Sequence, residues 1–183
     1  MKNHLAAFFA AFFIVGTAQA ADPVVGSLTP ASLSFAEYSG ATPTGEGQID
    51  SDTLYFIDEL TGALGKSWFI FFDPNRGSDI FATLTFDGAI TAVYTTKAQL
   101  DGTNATYGAP GINYGSSLFI GLEAMDAFSF AGNVLTIDWR AVDPGDHIRV
   151  FTMLAPVPEP ETYVLFAAGL LAVGFIGRRR RRA

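Results

Sequence analysis

The chain contains 183 residues, of which 49% are hydrophobic and 14% aromatic, and it has no cysteine and a formal net charge of −7. The lack of cysteine excludes disulfides, thiol catalysis and Cys-ligated metal sites, so stability has to come from the burial of apolar side chains. The acidic balance argues against nucleic acid as a partner, and we expect none.

The N-terminus has the features of a secretory signal peptide. Lys2 precedes an apolar run at residues 5–15, and Ala18-Gln19-Ala20 comes next at the distance expected of a cleavage site. Eleven apolar residues are too few to span a bilayer as a helix. We therefore predict a signal helix at residues 1–20, cleavage after Ala20, and export of the chain from Ala21 onward.

The segment at residues 21–157 has the size of one domain, and no internal repeat suggests a second. Sixteen carboxylates and five cations give this segment a net charge of −11, so the exported part is more acidic than the whole chain.

From Leu33 onward, apolar residues recur with a period of two, which is typical of β-strands. Turn residues bound most of these runs, and Asp87-Gly88 is the strongest hairpin signal among them. The pattern predicts an all-β fold, a single antiparallel β-sandwich or jelly-roll-like domain. The nine predicted strands are residues 33–38, 53–58, 67–72, 80–86, 89–95, 117–122, 127–130, 134–140 and 148–154.

Alternation also predicts the core, because side chains two apart on a strand share a face. Strands 67–72 and 148–154 are expected to be covered on both faces, and residues 40–52 and 101–116 to be loops. The predicted core faces of strands 80–86 and 134–140 consist of Ile80, Ala82, Leu84, Phe86, Leu135, Ile137 and Trp139.

Catalysis has little support in this sequence. Residues 21–157 contain one histidine, His147, which we expect to be a surface residue at a strand start, and no Gly-x-Ser-x-Gly turn accompanies it. One imidazole cannot build a His-rich zinc site. Because a small domain carries sixteen carboxylates, some of them are expected by chance to lie as close together as the catalytic pair of a glycosidase. We predict no catalytic residues and no enzyme activity.

Two weaker sites remain open. Asp73, Asn75 and Asp79 place oxygen ligands in a Gly-bent loop, as Ca²⁺ sites do, although a simple turn explains the same residues. Tyr107 and Tyr114, with Asn113, lie in the predicted loop 101–116. Exposed rings there could stack on sugars, although such loops also occur without a ligand. Otherwise no cofactor is expected.

The last part of the chain, residues 158–183, combines three features in a fixed order. Pro158, Glu159 and Pro160 precede an apolar run at residues 163–177. The sixteen uncharged residues at 162–177 span about 24 Å as a helix, short of the ~30 Å hydrocarbon core, so the run predicts a marginal transmembrane anchor. The positive-inside rule places the arginines after this run in the cytoplasm: Arg178, Arg179, Arg180, Arg181 and Arg182.

This segment resembles the PEP-CTERM sorting signal of Gram-negative bacteria. The matching residues are Val-Pro-Glu-Pro-Glu-Thr-Tyr at 157–163, the Gly-punctuated apolar run and the arginines, about a seventh of the chain. The resemblance implies recognition by exosortase, a membrane-embedded transpeptidase similar to cysteine proteases that cuts at or near Pro-Glu-Pro. Pro158, Glu159 and Pro160 would then be recognition residues.

Two functions are open as hypotheses. The first is an exported, non-enzymatic surface or matrix protein associated with exopolysaccharide, as proteins with this signal commonly are. The alternative is a secreted glycan-binding or glycan-active β-sandwich carried by the same tail. In both, the partners are exosortase, the export machinery and the inner membrane, which holds a tethered precursor whose mature form is at the cell surface or extracellular.

Overall fold

A computed structural model describes residues 20–154 and residue 169. Apart from Ala20 and Gly169, the predicted signal peptide, the Pro-Glu-Pro motif, the apolar run and the arginine cluster lie outside the described residues. Within the described part, no helix has the length and apolar character needed to cross a membrane.

The described residues form two sheets and one short helix, which confirms the all-β prediction. The bounds are β1 Val24–Thr29, β2 Ser34–Glu37, β3 Thr53–Gly62, β4 Gly65–Phe72, β5 Ser78–Thr85, β6 Ile90–Tyr94, α1 Lys97–Tyr107, β7 Ala127–Ala131, β8 Val134–Ala141 and β9 Asp146–Thr152.

The four-stranded sheet has the order β1-β5-β8-β7, and the five-stranded sheet has the order β2-β3-β4-β9-β6. All neighbouring strands pair antiparallel except β2 and β3, which are parallel. The sheets share one core of side chains from both inner faces, a β-sandwich arrangement. Strand β9 lies inside the five-stranded sheet, between β4 and β6.

The predicted core faces are confirmed. Every residue predicted for the core faces of strands 80–86 and 134–140 is at most 1% exposed, and all of them belong to the core between the sheets. Trp68 of β4 is also in this core, where its Nε1 donates to Thr152 Oγ1 at 3.3 Å.

A second apolar cluster explains why β4 and β9 are buried on both faces, as predicted. It lies on the outer side of the five-stranded sheet, where Phe69 and Phe71 of β4 pack with Leu100 of α1 and with Ile120. The helix and the connection after it therefore form a third layer over part of this sheet.

Helix α1 corrects the prediction of a loop beginning at residue 101. Its start has a capping box, in which the Thr96 side chain accepts from Gln99 N and the Gln99 side chain accepts from Thr96 N. Only Leu100 and Tyr107 of the helix are buried, so its amphipathic signal is weak and the sequence pattern does not reveal it.

The predicted strand at residues 117–122 is wrong. Its apolar residues Leu118 and Phe119 are 82% and 68% exposed, and Gly121 has a φ of +126°, far from extended geometry. Only an isolated bridge joins Gly121 to Thr96. Conversely, strand β1 was not predicted, because its short run is interrupted by Gly26, where its register with β5 shifts.

Asp87-Gly88 does not close the predicted hairpin. It joins β5 of one sheet to β6 of the other. The backbone on each side pairs with the β7–β8 turn instead, with Phe86 N donating to Asn133 O at 2.9 Å and Ile90 N to Gly132 O at 2.8 Å. The turn therefore crosses the end of the sandwich.

A truncation in the core tests this packing. Ile137→Ala should lower the free energy of unfolding by about 2–5 kcal/mol, because it leaves a cavity between the sheets. Thr136→Ala, on the opposite face of the same strand, should cost about 0.5 kcal/mol or less. Thermal unfolding of the full-length chain in detergent, followed by the fluorescence of buried Trp68 and Trp139, measures both. Equal losses would contradict the assigned core face.

Candidate functional site

The most extensive polar site is buried on the outer side of the five-stranded sheet. Arg149 of β9 and Glu59 of β3 are both fully buried, and the guanidinium binds the carboxylate through two bonds, Nε to Oε2 at 2.7 Å and Nη2 to Oε1 at 2.6 Å. Ser67 of β4, the strand between them, donates to Glu59 Oε2 at 2.5 Å. Two parallel bonds give the pair a fixed geometry.

The remaining N–H groups of Arg149 hold the helix. Nη1 donates to Leu100 O at 2.8 Å and to the Thr103 hydroxyl, while Nη2 donates to Asn104 Oδ1 at 2.8 Å. Together with the two bonds to Glu59, all five donors of the guanidinium have acceptors. This site therefore attaches α1 to the sheet and has no donor left for a ligand.

The predicted tyrosine loop is part of the same structure. The Tyr114 ring lies 5.5 Å from the Arg149 guanidinium and packs edge-on against Phe69, and its hydroxyl accepts from Ala109 N at 2.8 Å. Burial, and then the nearby Glu59 carboxylate, raise the pKa of Tyr114. The ring thus has a packing role on the sheet.

Tyr107 is not the exposed ring that the sequence suggested. It is 4% exposed, it packs edge-on against Phe151, and its hydroxyl accepts from Leu64 N at 2.8 Å. Asn113 is exposed, but its Oδ1 accepts from Gly115 N. Stacking on sugars by these tyrosines would require both rings to leave their packing, and glycan contact by this loop stays a prediction.

The predicted calcium loop gives its three residues different surroundings. Asp73 is buried, its Oδ2 accepts from Ile49 N at 3.2 Å, and burial raises its pKa to about 6. Asn75 and Asp79 are exposed, and Asp79 lies 3.9 Å from the Arg140 guanidinium. Ion binding by this loop stays a prediction.

His147 is not a surface residue. It is fully buried, its ring stacks on Phe71 with 5.9 Å between centroids, and neither ring nitrogen has a hydrogen-bond partner among the described residues. Burial lowers its pKa to about 3, so the imidazole is neutral. His147 acts here as an aromatic core residue.

A cluster of three carboxyl groups lies where the two sheets meet the 117–126 connection. Oxygens of Glu123, Asp126 and Asp146 lie within 4.8 Å of one another, with Glu123 exposed and Asp146 buried. Burial, followed by the other two carboxyl groups, raises the pKa of Asp146 to about 9. Partial desolvation of its carboxyl group, and then Asp126, also raise the pKa of Glu123. We call these three residues the carboxylate cluster.

A shallow groove with a volume of about 360 Å³ opens beside strand β2. Its walls come from the end of β2, from β3 and from the segment after α1, and they carry both polar and apolar groups: Glu37, Tyr38, Ser39, Asp58, Pro110 and Ile112.

Comparison with protein-family models identifies the C-terminal segment. Residues 156–182 match the model PEP_exosort_dom, described as the PEP-CTERM protein-sorting motif. The chain carries a PEP-CTERM sorting motif. The match confirms the resemblance that Pro158, Glu159, Pro160 and the arginines suggested. The PEP-CTERM motif implies processing by exosortase, export and a membrane-anchored precursor. No curated protein and no solved structure matched the chain.

Sequence reasoning missed the Glu59–Arg149 site and the carboxylate cluster. Arg149 offered a signal, because an arginine in a strand predicted to be covered on both faces requires a buried acceptor. The carboxylate cluster offered none, because Asp146 is twenty residues from Asp126 along the chain and no local pattern joins them.

Removing one partner of the buried ion pair should lower the stability of the fold far more than replacing both partners with apolar residues. Arg149→Met should lower the free energy of unfolding by about 3–5 kcal/mol, because Glu59 is left buried without its partner. The double variant Glu59→Leu/Arg149→Met should regain most of that loss. Thermal unfolding measures stability, and amide hydrogen exchange should show α1 losing protection in both variants. A double variant less stable than Arg149→Met would contradict this account.

Proposed function

We propose that this chain is an exported, non-enzymatic surface or matrix protein, sorted through its PEP-CTERM motif and associated with exopolysaccharide. The observation that carries the proposal is the motif at residues 156–182. Each part of the motif has a separate role. Pro-Glu-Pro is presented for recognition, the apolar run holds the precursor in the inner membrane, and the arginines keep its end in the cytoplasm.

The position of the domain relative to the motif supports processing close to the folded body. Strand β9 ends at Thr152, and Leu154 is only four residues before Pro158. Four residues reach at most about 14 Å even when fully extended. Exosortase would therefore act beside the domain, and the released product would retain almost no tail.

The surroundings of His147 support a non-enzymatic role. General-base catalysis requires a group that can reach the substrate and whose pKa lies near the working pH. The imidazole of His147 is fully buried against Phe71, and its pKa of about 3 is far below that range.

Glycan binding is the second candidate function, and the groove beside β2 favours it. Sugar sites combine apolar surface with polar groups that bind hydroxyls. The groove offers Tyr38 and Ile112 next to Ser39 and Glu37. The groove is lined by Pro110 and Ile112, which lie between Tyr107 and Tyr114 in the chain, and by neither tyrosine ring.

Processing can be tested by the intact mass and cell fraction of the protein in hosts with and without exosortase. We expect a form that begins near Ala21 and ends near residues 158–160, seen only when exosortase is present. Glu159→Ala should block its formation, while Pro110→Ala, a loop change in the body, should not. Full-length protein in the inner membrane of both hosts would overturn the proposal.

Filling the groove tests the second candidate. Ser39→Trp should reduce at least tenfold the amount of full-length protein that co-sediments with exopolysaccharide isolated from the native host, because the indole occupies the groove. Ser129→Trp, the same change on the exposed strand β7, should bind like the parent chain. Equal binding by both variants would exclude the groove as the contact surface.

A further inference from the structure

The carboxylate cluster joins parts of the chain that belong to different sheets. Asp146 is the first residue of β9 in the five-stranded sheet, whereas Asp126 directly precedes β7 at the edge of the four-stranded sheet. Glu123 lies three residues before Asp126, in the connection from α1 to β7, and the three residues bring oxygens within 4.8 Å of one another.

Asp146 is the unusual member of the cluster. It is 1% exposed, and neither of its carboxylate oxygens has a hydrogen-bond partner among the described residues. A buried carboxylate without a partner is costly, and such groups normally face a donor, a cation or a bound ion. Asp146 is directed at Glu123 and Asp126, so its nearest polar neighbours are two further carboxyl groups, and burial and then these groups raise its pKa.

Backbone hydrogen bonds orient the cluster, but no side-chain cation among the described residues pairs with it. Asp126 is held by two backbone donors, Glu123 N at 2.8 Å and Arg140 N at 2.9 Å. The ion pairs found in the described part of the chain involve other carboxylates. One lone pair of each Asp126 oxygen therefore remains available for a cation.

We propose that Glu123, Asp126 and Asp146 bind one hard divalent cation of the size of Ca²⁺. Carboxylate oxygens are the ligands that Ca²⁺ prefers, and Ca–O distances of about 2.3–2.6 Å allow two ligands to lie up to ~5.2 Å apart. The spacing in the cluster is within this limit. Exposed Glu123 gives the ion an entrance, and water completes the six to eight ligands that Ca²⁺ takes.

Such an ion would connect the two layers of the sandwich. It would join the start of β9 to Asp126, which is itself bonded to the backbone of Arg140 in β8. The site differs from the loop containing Asp73, Asn75 and Asp79, and it does not depend on the sorting or glycan proposals.

Calcium titration of the full-length chain in detergent, after chelator treatment, tests the site. Calorimetry with CaCl₂ should show one ion per chain with a Kd on the order of 10⁻⁴–10⁻³ M, the range of extracellular calcium modules, and the melting temperature should rise with CaCl₂. MgCl₂ should bind at least tenfold more weakly, because Mg²⁺ is smaller and dehydrates reluctantly.

Variants locate the ion. Glu123→Gln, at an exposed position that should not disturb folding, should weaken CaCl₂ binding at least tenfold, and Asp146→Asn should abolish it while raising the melting temperature of the metal-free protein. Glu37→Gln, the same change at an exposed position of β2, should bind like the parent. No saturable binding, unchanged binding in both cluster variants, or equal affinity for MgCl₂ would overturn the proposal.

Discussion

The structure depends on the buried contact between Arg149 and Glu59. The guanidinium uses every one of its donors, two on the carboxylate and three on helix α1, and its faces lie against the rings of Phe69 and Tyr114. Desolvating such a pair is expensive, so its value lies in geometry more than in net stability. This one side chain joins β9 to β3 across β4 and contacts both the helix and Tyr114 in the segment after it.

Period-two alternation was sufficient to predict the sandwich core, because each strand there buries one face. Ile80 to Phe86 and Leu135 to Trp139 obey that rule without exception. Local sequence patterns do not predict helix α1, because Gly102, Thr103 and Asn104 are weak helix formers. The end of the helix is held by Arg149, more than forty residues away in the chain. The hairpin predicted at Asp87-Gly88 does not form, because a turn motif does not specify which sheet the next strand joins.

The sites show the same division between local and distant determinants. The sorting motif is contiguous, so its residues could be read directly. The sequence predicted Tyr107 and Tyr114 as sugar contacts, but their burial depends on Phe151 and Phe69 in distant strands. The carboxylate cluster forms only when the end of the sandwich brings Asp146 next to Glu123 and Asp126. Chemistry that requires three segments to meet cannot be inferred from spacing along the chain.

The domain cannot complete its fold until β9, its last strand, is available. The last strand of the described fold lies between β4 and β6 and carries Arg149, so the five-stranded sheet and the attachment of α1 both wait for it. Contacts between residues this far apart form late and slowly. A chain that crosses a membrane from its N-terminus would therefore stay unfolded for most of its passage and complete its sheet only as the sorting segment arrives.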